Sequence, residues 1–89
     1  MALAAAPNPS RGATQISCAL PKKGPATIGI YDVLGRLVYP LATGTMEAGS
    51  HRISWDGRVS GGGMAPDGIY FVRLATGGRE VVTRLALLR

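Results

Sequence analysis

The sequence predicts an all-β fold, a two-sheet sandwich or small barrel, on three observations. Thirteen glycines and six prolines are spread between short apolar runs, so turns are frequent and long helices few. Several of those runs alternate apolar and polar residues, the two-residue period of a strand with one buried face. The stretch Ile28–Val38 reads as strand, tight turn, strand: Ile28 and Ile30 alternate with Gly29 and Tyr31, and Asp32 to Gly35 carry turn chemistry. Asp32 can accept downstream backbone N–H groups, and Gly35 can take the positive φ of a bulged hairpin loop. The 89 residues make one domain. A chain of that size buries roughly two thirds of its unfolded surface, which leaves little room for a deep catalytic cleft.

In chain order, residues 1–12 are expected to be a linker and extended lead-in, because Pro7-Asn8-Pro9-Ser10 suits neither helix nor central strand. The sandwich is expected over 13–89. Its first strand, Ala13–Leu20, places Ile16, Cys18 and Leu20 on one face. Pro21 to Gly24 turns the chain into strands at about Ala26–Tyr31 and Arg36–Leu41, followed by a loop from Ala42 to Gly49. Ser50–Trp55 alternates again, and a glycine-rich connection runs from Asp56 to Asp67. Ile69–Leu74, apolar on both faces, is expected to be a central strand, with a hairpin at Ala75–Arg79 and a final strand at Glu80–Leu88. Val81, Leu85 and Leu88 also fit helical spacing, but Gly77-Gly78 and Val81-Val82-Thr83 favour strand. The total is six or seven short strands.

The net charge of +5 permits an acidic partner. The ten cations are scattered, with only Lys22 and Lys23 adjacent, and no basic run is interleaved with aromatics, so no nucleic-acid site is expected. Cys18 is single and falls at a core position, where a thiol acts as a small apolar group. Met1–Ala6 lacks the basic start and the length of a signal peptide, and no run approaches the roughly 20 apolar residues of a membrane span. That leaves open a piece of a longer secreted protein or a cytosolic chain.

Catalysis has little to work with: one histidine, His51, and five acids, Asp32, Glu47, Asp56, Asp67 and Glu80. No nucleophile elbow, phosphate loop or metal-ligand pair is present, so no enzyme, cofactor or metal is expected. Asp32, Asp56 and Asp67 are separated by whole strands and each has turn capping to do, against the six to eight oxygens calcium requires. Trp55, with Tyr31, Tyr39, Tyr70 and Phe71, could line a sugar-binding platform. A lone tryptophan at such a strand end is more often the plug between sheets. The apolar Arg84–Arg89 stretch is either tied into the sheet or offered as a recognition edge.

Pro7-Asn8-Pro9, Ile30-Tyr31-Asp32 with Gly35-Arg36, Ala48-Gly49-Ser50-His51, Trp55-Asp56-Gly57, Gly68-Ile69-Tyr70 and Leu87-Leu88-Arg89, in that order, resemble one family. They look like the Ig-like C-terminal sorting domains of proteins exported by the bacterial type IX secretion system, a superfamily that includes the Ig-like domain of the flagellar hook-capping protein. The resemblance covers Pro7 to Arg89 and implies an Ig-like seven-stranded antiparallel β-sandwich. The implied role is a non-catalytic address on a secreted or cell-surface cargo fused upstream. Its implied partners are the outer-membrane secretion machinery and a sortase-like protease. By position, Gly68 and Tyr70 match the family's Gly-x-Tyr element, and Arg84, Leu85, Leu87, Leu88 and Arg89 fall in its terminal secretion motif. Three differences stand out: Arg58-Val59-Ser60 and three glycines replace acidic residues after Trp-Asp-Gly, Ser10 replaces a common Phe, and the basic-apolar ending is a variant of the more usual lysine-containing one. The alternative roles are a structural module self-associating through strand edges or the N-terminal arm, and a carbohydrate-binding accessory domain.

Overall fold

Large apolar residues at every second position fix where each strand turns its buried face. The computed structural model describes all 89 residues. It has seven strands: β1 (Ala2–Ala6), β2 (Thr14–Leu20), β3 (Gly24–Tyr31), β4 (Leu37–Met46), β5 (Gly49–Trp55), β6 (Gly68–Thr76) and β7 (Arg79–Leu87). They form a three-stranded sheet in the order β1-β2-β5 and a four-stranded sheet in the order β4-β3-β6-β7. All named strand pairings are antiparallel. This is the Ig-like β-sandwich that the resemblance implies.

The core lies between the sheets. Ile16, Cys18, Leu20 and Trp55 come from one side, and Ile28, Ile30, Tyr70, Val72, Leu74, Leu85 and Leu87 from the other. Cys18 is buried as a core residue, and burial pushes its thiol pKa up, away from the reactive thiolate. β6 is central, between β3 and β7, and β7 keeps its ladder with β6 from Arg79 to Leu87, so the helical alternative for this segment does not form.

Two sequence expectations are corrected. Ala2–Ala6 is not a free linker but a strand, with Leu3 opposite Cys18 and Ala5 opposite Ile16. Alanines carry little alternation to read, so the ladder with β2 and the packing of Leu3 and Ala5 on the core decide its place. The expected loop at Ala42–Gly49 is strand as far as Met46, because the first half of β3 offers a partner for each residue, ending with Gly24 opposite Met46.

The Asp32–Gly35 turn forms as expected. Gly35 sits at φ 80°, and its N–H donates to the Asp32 carbonyl at 3.0 Å. Asp32 Oδ1 accepts from the Leu34 and Arg36 N–H groups, both at 2.9 Å, and Oδ2 accepts from Arg36 Nε at 2.9 Å. Foremost the Arg36 backbone N–H, then the Arg36 side chain and the Leu34 N–H, hold this carboxyl below its ordinary value, against an opposing desolvation. A lowered folded pKa contributes stability that is complete above the unfolded value of 3.8 and lost as pH falls through the folded one. Asp32→Asn is therefore expected to flatten the acid limb of stability against pH below about pH 5, measured by urea unfolding at successive pH values.

Candidate functional site

Three of the motifs, Trp55-Asp56-Gly57, Gly68-Ile69-Tyr70 and the Arg89 ending, meet at one end of the sandwich. Trp55 closes β5 at 1% exposure, and its indole N–H donates to the Arg58 carbonyl at 2.9 Å. Its ring meets Tyr70 edge-on, with centroids 5.7 Å apart and planes at 64°. The Tyr70 hydroxyl donates to the Pro66 carbonyl at 2.5 Å. Burial pushes the Tyr70 phenol pKa up, partly offset by the charge of Arg89, so it remains a proton donor at neutral pH.

Arg89 is the centre of this cluster. Its guanidinium donates through Nη2 to the Gly57 carbonyl at 2.9 Å and through Nη1 to the Ala65 carbonyl. Nη1 also lies 3.5 Å from Asp67 Oδ1, and the Arg89 N–H donates to Asp67 Oδ2 at 3.1 Å. Ala65 N–H in turn donates to the Gly57 carbonyl at 2.7 Å, which folds the long glycine-rich connection back on itself. Gly57 has to be glycine: φ is 82°, and a Cβ there would stand 2.6 Å from Arg89 Nη2 and 3.2 Å from the Gly12 carbonyl. The partly exposed Arg89–Asp67 ion pair is worth about 0–1 kcal/mol by itself, so the carbonyl hydrogen bonds do most of the fixing.

A second latch holds the outer edge of β7. Asn8 presents its side-chain amide as a neighbouring strand would, donating from Nδ2 to the Arg84 carbonyl at 2.8 Å and accepting from the Ala86 N–H at 3.0 Å. Ser10 then runs parallel to the strand, its N–H donating to the Ala86 carbonyl and its carbonyl accepting from Leu88 N–H, both at 2.8 Å. Ser10 is fully buried, and its hydroxyl bridges the Ala13 carbonyl and the Gly12 N–H. Asn8→Ala is expected to cost about 1–2 kcal/mol through two lost hydrogen bonds. It should also bare the edge to pairing with other chains. Urea unfolding and sedimentation velocity read the two effects.

The residues expected in the terminal motif therefore divide. Leu85 and Leu87 are wholly buried in the core. Arg84 is exposed, Leu88 is 52% exposed and Arg89 is clasped. Gly68 starts β6 opposite Leu87, two residues before Tyr70 in the cluster. The segment is tied into the sheet, not offered as a free edge. Trp55 is closed off and cannot serve as a sugar platform. Asp32, Asp56 and Asp67 are engaged with Arg36, Arg58 and Arg89 respectively. His51 Nε2 lies 2.7 Å from the Glu47 carbonyl, a local partner. The sequence reading missed Asn8 as the edge latch and Asp67 as the Arg89 partner. Asp67, directly before Gly68-Ile69-Tyr70, was the readable sign.

A family model, the FlgD Ig-like domain, matches residues 6–79. The crystal structure of dimeric latent PorU from Porphyromonas gingivalis shares the fold with a TM-score of 0.77 at 19% identity, covering 97% of this chain and 9% of that one. The chain thus spans less than a tenth of the PorU chain it matches. No curated protein matches it.

Proposed function

The chain belongs to the FlgD Ig-like domain family, and from that premise we propose that it is a non-catalytic sorting domain directing secretion and cell-surface attachment of a larger cargo. The observation that supports this most is the clasp. Trp55-Asp56-Gly57, Gly68-Ile69-Tyr70 and Arg89, which carry the resemblance to type IX sorting domains, build one end of the sandwich together. A module of this fold that matches only 9% of a far longer chain also suits an appended domain. In this reading the exposed Arg84 and Leu88 meet the secretion machinery, while Leu85, Leu87 and Arg89 hold the strand that carries them. A sortase-like protease would act on the connection to the cargo.

The test is to fuse the full chain to a secreted passenger in a host with this export route. Deleting Leu85–Arg89 would remove two core residues and the clasp, so loss of export there would report unfolding. The informative variant is Arg84→Ala with Leu88→Ala, both exposed. Export of the wild-type fusion to the medium or surface, reduced several-fold in the double variant at unchanged thermal stability, supports the reading. Retention of the wild-type fusion, with its domain folded, in the periplasm overturns it.

The family match favours a second reading, a structural module of an extracellular assembly like the flagellar hook cap. The N-terminal arm argues less for self-association than the sequence suggests, because β2 of the same chain already pairs with it.

A further inference from the structure

We propose that the outer face of the four-stranded sheet is a docking surface for a protein segment carrying aliphatic or aromatic side chains flanked by carboxylates. The inference stands on this face and does not rest on the sorting reading. Inward residues of β3, β6 and β7 make the core, so their alternates face solvent. Tyr31, Phe71 and Arg84 share one row, and Gly29, Arg73 and Val82 the next. A solvated sheet face is normally polar. Here Val33, Leu37, Ile69 and Val82, four of the seven large apolar side chains left exposed on the whole chain, lie beside Tyr31 or Phe71: Val33 and Val82 line the same depression, Leu37 pairs opposite Tyr31, and Ile69 precedes Phe71 by two residues on β6. Val33 is 67% exposed and Val82 49%. A contiguous exposed apolar patch of this kind marks an interaction site, whereas scattered single residues do not.

The patch is also shaped. Gly29 lets two of its side chains close over the backbone: a Cβ there would stand 3.0 Å from Leu37 Cδ1 and 3.2 Å from Tyr31 Cε1, so Gly29 is buried beneath them and the Tyr31 ring lies flat along the face. Arg73 lies over the Tyr31 ring at 5.8 Å and pairs with Glu80 at 2.5 Å, fixing the ring beside Phe71. The result is a shallow depression lined by Tyr31, Phe71, Arg73 and Val82.

Charge selects the occupant. Each of the five carboxylates in the chain is already paired, with Lys23, Arg36, Arg58, Arg73 or Arg89. On this face Asp32 and Glu80 are thus neutralised, and Arg84 stands beside Phe71 without a carboxylate. A partner that desolvates the patch gains by bringing a carboxylate to Arg84. A second copy of this face would set Arg84 and the other rim cations against their equals, which costs affinity.

The experiment pans a phage-displayed library of random peptides against the immobilised full chain and measures the selected peptides by calorimetry. Expected are peptides with alternating apolar residues flanked by Asp or Glu, bound more weakly as salt rises. Val82→Lys and Ile69→Lys, both at exposed positions, should each weaken binding about tenfold or more. Arg84→Glu should turn the selection towards Lys- and Arg-flanked peptides. Thermal unfolding of each variant confirms that it folds, and if one lysine variant does not, the other and the Arg84 reversal carry the test. The inference is overturned by selected peptides without acidic flanks, or by binding indifferent to all three substitutions. Dimerisation abolished by Val82→Lys, or preferential binding of phosphatidylglycerol vesicles over any peptide, equally overturns it.

Discussion

Trp55→Ala is expected to destabilise the domain by about 3–5 kcal/mol, read by urea unfolding. The side chain is the largest fully buried one, set at the end of β5 between the sheets. Its removal leaves a cavity, the Tyr70 edge contact disappears, and the Arg58 carbonyl loses its donor. Small domains are stable by only about 5–15 kcal/mol, so the variant should lie near the unfolding threshold at physiological temperature. Trp55→Phe separates the contributions: it keeps most of the packing and should cost about 1–3 kcal/mol, largely for the unsatisfied carbonyl. An equal loss in both variants would move the weight from the ring volume to the hydrogen bond.

Leu85→Ala is expected to cost about 2–5 kcal/mol, while Leu88→Ala three residues later changes stability by under about 0.5 kcal/mol. Both leucines lie in the apolar terminal run, yet Leu85 is wholly buried opposite Tyr70 and Leu88 is half exposed beyond the end of β7. Denaturation curves of the two variants side by side check the split. If Leu88→Ala proved as costly as Leu85→Ala, the half-exposed Leu88 would be bearing core weight, and the export variant would no longer leave the fold intact.

The fold was legible wherever bulky apolar residues marked one face. Ile16, Cys18 and Leu20, and Ile28 and Ile30, each showed their strand and its inward side. It was not legible in Ala2–Ala6 or Thr43–Met46, where alanine, glycine and threonine carry little side-chain signal and the backbone partner decides. The clasp was half legible. Trp55, Gly57 and Tyr70 stood out as motif residues, and Arg89 as the end of one. Their meeting point did not, because Arg89 is held largely by the carbonyls of Gly57 and Ala65, and every residue carries a carbonyl. Ser10 and Asn8 were hidden for a related reason. A proline-flanked polar pair reads as loop, while its hydrogen bonds make it a short surrogate strand.

That surrogate strand has a mechanical consequence. Because Ser10 pairs with β7 in the parallel sense, tension drawn backwards through Pro7 and forwards through Arg89 acts along the two segments in opposite directions. The Asn8 and Ser10 bonds to Arg84, Ala86 and Leu88 are then loaded together in shear instead of being peeled one at a time. A tether pulling on this domain from upstream draws first on the β1–β2 ladder and then, through Pro7, loads this seam in shear.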